Sequence, residues 1–217
     1  MLTSKIAGLK KSIIEEADLV INMMDICIQG LLERDKTKLE EIVELEEQVN
    51  NKEIELDEAC TTLIALNQPE AKNLRTILMI LKMNNDLERM GDLVTNMSKC
   101  ASYLVRKPSI TKLVALPKMA EAASKMVKSS IQAFIDENAE EAKHVCEADD
   151  EVDDLKEHIY RTLVTYMIED PTTIKRAICF NNIASYLERI ADLSTNIAEE
   201  TIFVAKGKIV KHGPEEE

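Results

Sequence analysis

The 217-residue sequence has few of the residues that build sheets, tight turns and aromatic cores. It contains no tryptophan, four tyrosines, three phenylalanines, five glycines and five prolines. Leucine, isoleucine, alanine, glutamate, lysine and methionine are plentiful instead, which is typical of a nearly all-helical chain. No stretch approaches the roughly 20 uninterrupted apolar residues that a membrane-spanning helix needs. We therefore expect an all-α protein without membrane insertion.

The cysteines are too few and too scattered for a disulfide frame. Their number is odd, and no Cys-x-x-Cys motif occurs. Reduced thiols packed between helices fit this pattern better. The N-terminus also lacks the apolar run and the cleavage site of a signal peptide. These features predict a cytoplasmic protein. The cysteines are Cys27, Cys60, Cys100, Cys146 and Cys179.

Basic residues are in deficit, and the formal net charge is −13. A nucleic-acid-binding protein needs a basic face, so we do not expect this protein to bind nucleic acid. An acidic protein is suited instead to binding cations or a basic protein surface.

Apolar residues recur at three- and four-residue spacing in six segments, which predicts six helices. Two of these segments are expected to follow polar caps, namely a Thr37/Glu40 capping box and an Asn138 N-cap. The other predicted helices cover about 4–34, 70–105, 119–136 and 171–206.

Prolines mark the starts of the third and sixth helices. Pro69 is expected at the first position of the third helix, and Asp170-Pro171 predicts an N-cap followed by a first-position proline. Helices this long with short links pack as antiparallel neighbours, which predicts two pseudo-symmetric three-helix bundles. The expected division is a first bundle at 1–105, a connection at 106–117, a second bundle at 118–206 and a polar tail at 207–217.

A nine-residue motif occurs twice, at a spacing of 100 residues. It reads ERMGDLVTN at 88–96 and ERIADLSTN at 188–196, with six of nine positions identical. In each copy Glu, Asp and Asn follow one another at four-residue intervals, so they share one stripe of a helix, opposite its apolar face. We call the two stripes the motif ladders. They consist of Glu88, Asp92 and Asn96, and of Glu188, Asp192 and Asn196.

Each motif ladder lacks the lysine or arginine at i+4 that would neutralise an ordinary acidic helix face. Two carboxylates one turn apart repel each other unless a cation lies between them. Oxygen donors in this arrangement are typical of a site for a hard metal ion. Acidic residues on a solvated face are the alternative explanation.

The middle helix of each half carries a second acidic stripe. When Val49 is aligned with Val152, Glu46 matches Asp149 and Asn50 matches Asp153. Facing stripes on two adjacent helices would make a site with several oxygen ligands. The first half has an amide where the second has a carboxylate, which predicts stronger metal binding by the second half. The residues involved are Glu46, Asn50, Asp149 and Asp153.

The doubled Glu-Arg-x-x-Asp-Leu-x-Thr-Asn motif, on the last helix of each half, resembles the PhoU family over about residues 5–206. The resemblance implies cytoplasmic regulators of phosphate uptake that restrain a phosphate ABC transporter ATPase and relay its state to a phosphate sensor histidine kinase. It also implies multinuclear iron or zinc clusters. By resemblance, Glu88, Asp92, Glu188 and Asp192 match ligand positions, and Asp149 and Asp153 match the middle-helix motif. We also expect a homodimer.

Two other functions stay open on the sequence. A carboxylate-bridged di-metal enzyme of the ferritin-like kind usually needs two inward Glu-x-x-His pairs. The sequence contains a single Glu-x-x-His, from Glu141 to His144. A metal-free helical scaffold for a transporter would use the same fold without the ions. His144, His158 and Cys146 lie near the second acidic stripe, although no metal-ligand spacing connects them.

Overall fold

In the computed structural model, residues 2–110 and 115–206 are described. This part of the chain contains six α-helices and no strand, which confirms the all-α prediction. A short 3₁₀ turn at Pro171–Thr173 leads into the last helix. The helices are α1 (Leu2–Glu33), α2 (Lys36–Asn67), α3 (Ala71–Leu104), α4 (Ala115–Ile135), α5 (Ala139–Glu169) and α6 (Ile174–Lys206).

The six helices form two bundles of three. Helices α1, α2 and α3 all contact one another, and α4, α5 and α6 do the same. The two bundles meet where α1 packs on α4 and α3 packs on α6. Helices α2 and α5 therefore lie at the outer edges. Buried apolar residues from all six helices form one continuous cluster, so the halves share a core.

The turns that join the first two helices of each half show the repeat directly. Arg34 and Glu137 both adopt left-handed backbone angles, with φ of 59° and 51°. The residue after each of them donates its backbone N–H to a carbonyl oxygen five residues earlier. Asp35 donates to Gly30 and Asn138 donates to Ala133, both at 2.9 Å. These matched turns relate α1 and α2 to α4 and α5 at a spacing of 103 residues.

Three predicted helix starts are wrong. Asp35, not Thr37, caps α2, because its Oδ1 accepts a hydrogen bond from Thr37 N at 2.9 Å and Thr37 already lies in the first turn. Pro69 lies before α3, whose N-cap is Glu70. Helix α4 begins at Ala115, four residues before the predicted start at Met119, and so takes in the end of the predicted connection.

The caps predicted for the last two helical segments are confirmed. Asn138 Oδ1 accepts hydrogen bonds from the backbone N–H groups of Glu140 and Glu141. The side chain of Asp170 accepts one from the backbone N–H of Thr172, and Pro171 follows Asp170 at the first position of the 3₁₀ turn. The predicted tail at 207–217 and residues 111–114 of the predicted connection lie outside the described residues. None of the helices in the described ranges combines the length and the apolarity needed to cross a membrane.

The cap assignment predicts different costs for two neighbouring substitutions. Asp35→Ala should lower the free energy of unfolding by about 1 kcal/mol, because the first N–H groups of α2 lose their acceptor. Thr37→Ala should change it by only a few tenths of a kcal/mol, since the exposed Thr37 side chain does not cap the helix. Denaturant unfolding of both variants measures this. A larger loss for Thr37→Ala would contradict the assignment.

Candidate metal centre

Apolar packing sets the orientation of both motif ladders. Leu87, Met90, Val94 and Met97 of α3 are fully buried, and Leu187, Ile190 and Ile197 occupy the matching side of α6. Since each helix has one buried face, the motif acids are turned away from the centre of that face. Glu88 and Glu188 are half-buried at its edge, and Asp92 and Asp192 are exposed.

In the first half, α2 lies close to α3 beside the motif ladder. Gly91 is buried between Glu88 and Asp92, and a Cβ on it would lie 3.4 Å from Val49 Cγ1 of α2. Because even a Cβ at this position would be in van der Waals contact with Val49, α2 packs closely on α3 here. The acidic residues on either side of Val49 are thereby placed next to the ladder of α3.

The first-half acids interact with one another. Partial burial raises the pKa of Glu88, and the nearby charges of Asp92, Glu53 and Glu46 raise it further. Arg89 acts in the opposite direction. The structure therefore brings the predicted Glu46, Glu88 and Asp92 together, and it adds Glu53. We call these four residues the first cluster.

In the second half, burial raises the pKa of Asp149 to about 6, and repulsion from Asp192, Asp153 and Glu188 contributes. The pKa of Asp192 is also raised, by burial and then by Glu188 and Asp153. All four predicted carboxylates of this half thus lie within electrostatic reach of one another. We call Asp149, Asp153, Glu188 and Asp192 the second cluster.

A lysine that the sequence analysis missed is part of the second site. Lys156 of α5 places its Nζ 2.6 Å from Glu188 Oε1. It also opposes the rise in the pKa of Asp192. Lys156 is not at i+4 from any acid of the α6 ladder. It comes from the neighbouring helix, so only the packing of α5 on α6 makes the pair.

The predicted amide ligands are less closely connected to the clusters. Asn96 Oδ1 accepts a hydrogen bond from Lys99 Nζ at 3.1 Å, which directs this side chain toward the next turn of α3. Asn50 and Asn196 are exposed. His144 is exposed too, with its Nδ1 3.2 Å from Glu147 Oε2, and Cys146 lies near Asp149 and Glu199. Asn96 Oδ1 would therefore have to leave Lys99 before it could bind an ion.

The sequence analysis also missed a buried acid beside the first cluster. Glu16 of α1 is 0% exposed, and neither carboxylate oxygen has a hydrogen-bond partner. Burial raises its pKa to about 8, with a further contribution from the nearby Glu53. The neighbouring Glu88 acts in the same direction, while Lys52 opposes it. The buried carboxyl group of α1 therefore lies within electrostatic reach of Glu53 and Glu88 of the first cluster.

The donor atoms of both clusters fit a hard metal ion. Every charged donor is a carboxylate oxygen, the ligand that such ions prefer. Buried oxygens without hydrogen-bond partners occur at both places, on Glu16 and at Asp149 Oδ1. In the conformation described for residues 2–110 and 115–206, no three His, Cys, Asp or Glu side chains converge closely enough to hold one ion. Binding would thus require side-chain movement, including departure of Lys156 from Glu188.

Fold and site together define a class of protein: a duplicated three-helix bundle with a carboxylate cluster on the second and third helices of each copy. The model of the PhoU domain matches this chain twice, at residues 13–101 and 116–201. The chain belongs to the PhoU family.

Relatives with known names and structures cover nearly the whole chain. A phosphate-specific transport system accessory protein PhoU homolog from Aquifex aeolicus is 37% identical over 94% of this chain and 92% of its own length. A homolog with the same name from Deinococcus radiodurans is 35% identical over 87% of this chain and 88% of its own length. The crystal structure of PhoU from Pseudomonas aeruginosa has a TM-score of 0.90 at 30% identity, covering 96% of this chain and 100% of that one.

The burial of Glu16 predicts a pH-dependent stability in metal-free solution. An acid whose pKa is raised by folding binds its proton more tightly in the folded state, so its contribution to stability is present at low pH and is lost as pH rises. With a chelator present, wild type should lose stability relative to Glu16→Gln between about pH 4.5 and about pH 8. The charged groups near Glu16 are Glu53, Glu88 and Lys52. They are present in both proteins, so their own contributions to the pH dependence of stability partly cancel when the two are compared.

Denaturant unfolding at several pH values measures the difference between the two proteins. Asp18→Asn, which removes an exposed acid two residues along α1, serves as the control and should follow wild type. Parallel curves for wild type and Glu16→Gln would contradict the burial of this carboxyl group.

Proposed function

We propose that this chain regulates phosphate uptake as an accessory protein of a phosphate transporter and binds metal ions at its two carboxylate clusters. The names of its relatives support the role in phosphate transport. The single observation that carries the metal sites is the recurrence of a carboxylate cluster at equivalent places in both halves. Carboxylates that repel one another at the surface gain stability from a shared cation.

The proposed ligands come from two adjacent helices in each half. In the first half they are Glu46, Glu88 and Asp92, with Asn50 and Asn96 at the margins. In the second half they are Asp149, Asp153, Glu188 and Asp192, with Asn196 at the margin. Bound ions would supply positive charge between the two helices. We propose iron or zinc in multinuclear clusters, on the basis of the family resemblance.

The proposed action is that of a non-catalytic adaptor. On the cytoplasmic side it restrains the ATPase of a phosphate ABC transporter and, through a sensor histidine kinase, represses phosphate-starvation genes. The exposed Arg89 and Arg189 lie beside the two motif ladders. We propose that they contact an acidic partner, for which Arg89 would leave Asp86, now 4.0 Å away. A homodimer is part of the proposal and rests on the resemblance alone.

A double substitution tests the connection between metal and regulation. Asp92→Asn with Asp192→Asn should reduce the metal content of the purified protein and derepress a phosphate-starvation reporter at high phosphate. The fold should survive, because both side chains are exposed and the replacements are close in shape. In chelator the double variant should melt at or above wild type, since repulsion within each ladder is relieved. With Zn²⁺ or Fe²⁺ added, the order should reverse.

Asp154→Asn is the matched control, because it removes an exposed acid next to Asp153 without touching the ladders. Elemental analysis, thermal melting and the reporter are measured on all three proteins. If the double variant keeps its metal and melts below wild type in chelator, the ladders are structural and the metal proposal is wrong. If metal is lost while repression persists, the sites do not carry the signal.

A further inference from the structure

We infer that Glu16, a residue of α1, is a ligand of the divalent-cation site in the first half. The second half has no equivalent of this ligand, and its site therefore binds less tightly. The inference rests on the proposed function, because it concerns the same carboxylate clusters. It adds a ligand from a third helix, and it reverses the order of affinities that the carboxylate count of the two stripes predicts.

Glu16 is a buried acid whose carboxylate oxygens have no hydrogen-bond partner. Its side chain is 0% exposed, and both Oε atoms are buried without a hydrogen-bond donor. The charges that act on it are those of Glu53, Glu88 and Lys52. Glu16 is more deeply buried than Glu53 and Glu88, and the pairing of Lys52 with Glu15 places this turn of α1 beside α2. A buried carboxylate without a partner is costly, and a coordinated cation removes that cost.

The nearby lysine already has another partner. Lys52 Nζ lies 2.7 Å from Glu15 Oε2, and Glu15 is the residue next to Glu16 on the more exposed side of α1. Glu15 thus holds the ammonium group toward the surface. The first cluster keeps an excess of negative charge around Glu16, which favours a divalent ion.

The second half differs at the two positions that matter. The spacing of 103 residues set by the matched turns relates Glu16 to Met119 and Glu53 to Lys156. Met119 is fully buried and brings no charge, while Lys156 brings a positive one. Its ammonium group lies 2.6 Å from Glu188, so a metal ion would have to compete with it for this carboxylate.

The resulting charges favour the first half. Five acids surround the first site. Five also surround the second, but one of them, Glu188, is paired with a lysine. Affinity for hard cations rises with the negative charge of the ligands. The first set is Glu16, Glu46, Glu53, Glu88 and Asp92, and the second is Asp149, Asp150, Asp153, Glu188 and Asp192 with Lys156.

The test is a titration of the full-length, chelator-stripped protein with Mn²⁺, an oxygen-preferring ion whose free form is counted by electron paramagnetic resonance. Wild type should show a tighter and a weaker class of sites. Glu16→Gln should weaken the tighter class by about tenfold or more and leave the weaker class unchanged. Glu16→Met, which copies the second half, should do the same. Asp18→Asn should match wild type.

A reciprocal variant examines the second half. Lys156→Gln should tighten the weaker class, because it removes the competing ammonium. Asp92→Asn should weaken the tighter class, and Asp192→Asn the weaker one. Circular dichroism and melting in chelator establish that each variant is folded. Since Gln is a neutral replacement for a buried carboxyl group, Glu16→Gln should melt no lower than wild type at pH 8.

The outcomes separate the inference from the proposed function. If Asp92→Asn weakens the tighter class and both Glu16 variants bind like wild type, the inference is wrong and the metal-binding proposal stands. If Asp192→Asn weakens the tighter class instead, the proposed order of the halves is wrong. If wild type binds no Mn²⁺, Zn²⁺ or Fe²⁺ in titrations followed by elemental analysis, both the inference and the metal-binding proposal fail.

Discussion

Electrostatic repulsion between carboxylates, held close by apolar packing on the other faces of their helices, is the constraint on which the rest of this structure depends. The neighbouring acids raise the pKa of Asp149 and of Asp192, so these groups would separate if α5 and α6 were free to move. Val152 and Ile190, both fully buried, keep these helices together. The core thus supplies the free energy that maintains two clusters of like charge, and a cation would relieve the repulsion.

The shared core also means that the two halves are one body. Helices α3 and α6 carry the two motif ladders and pack directly against each other, with Lys82 and Glu200 paired across them at 2.8 Å. Separating the halves would expose this contact as well as that between α1 and α4. A change of charge at one cluster therefore acts on a helix that is packed against the helix of the other. This arrangement is suited to a protein that must respond as a unit.

Much of the fold and of the outer site follows from periodicity, because a helix repeats every 3.6 residues and its buried face is visible in the sequence. On this basis Glu88, Asp92, Glu188 and Asp192 were predicted to lie away from the buried face, and the glutamates are half-buried at its edge while the aspartates are exposed. The start of α2 was not, since Asp35 and Thr37 are both good caps and the choice depends on the left-handed turn at Arg34. Local sequence does not determine that turn.

Glu16 and Lys156 escaped prediction for a different reason. In the pair Glu15-Glu16, the position of Ile13, Ala17 and Val20 puts the second acid on the buried side of α1, yet a charged residue there is ordinarily expected to reach solvent. Lys156 finds its partner on another helix, so helical spacing carries no sign of the pair. Both residues are therefore evident only once the helices are packed.

The two differences between the halves, at the positions equivalent to Glu16 and Glu53, depend on each other through their charges. A methionine replaces the buried acid at position 119, and a lysine replaces the facing acid at position 156, so the second half has an internal cation where the first has an excess of negative charge. A buried glutamate beside that lysine would form a desolvated ion pair of doubtful net value. A lysine facing Glu16 would likewise cancel the charge that attracts a metal. The duplication has thus kept one backbone and two acidic ladders while giving each half its own way of balancing them.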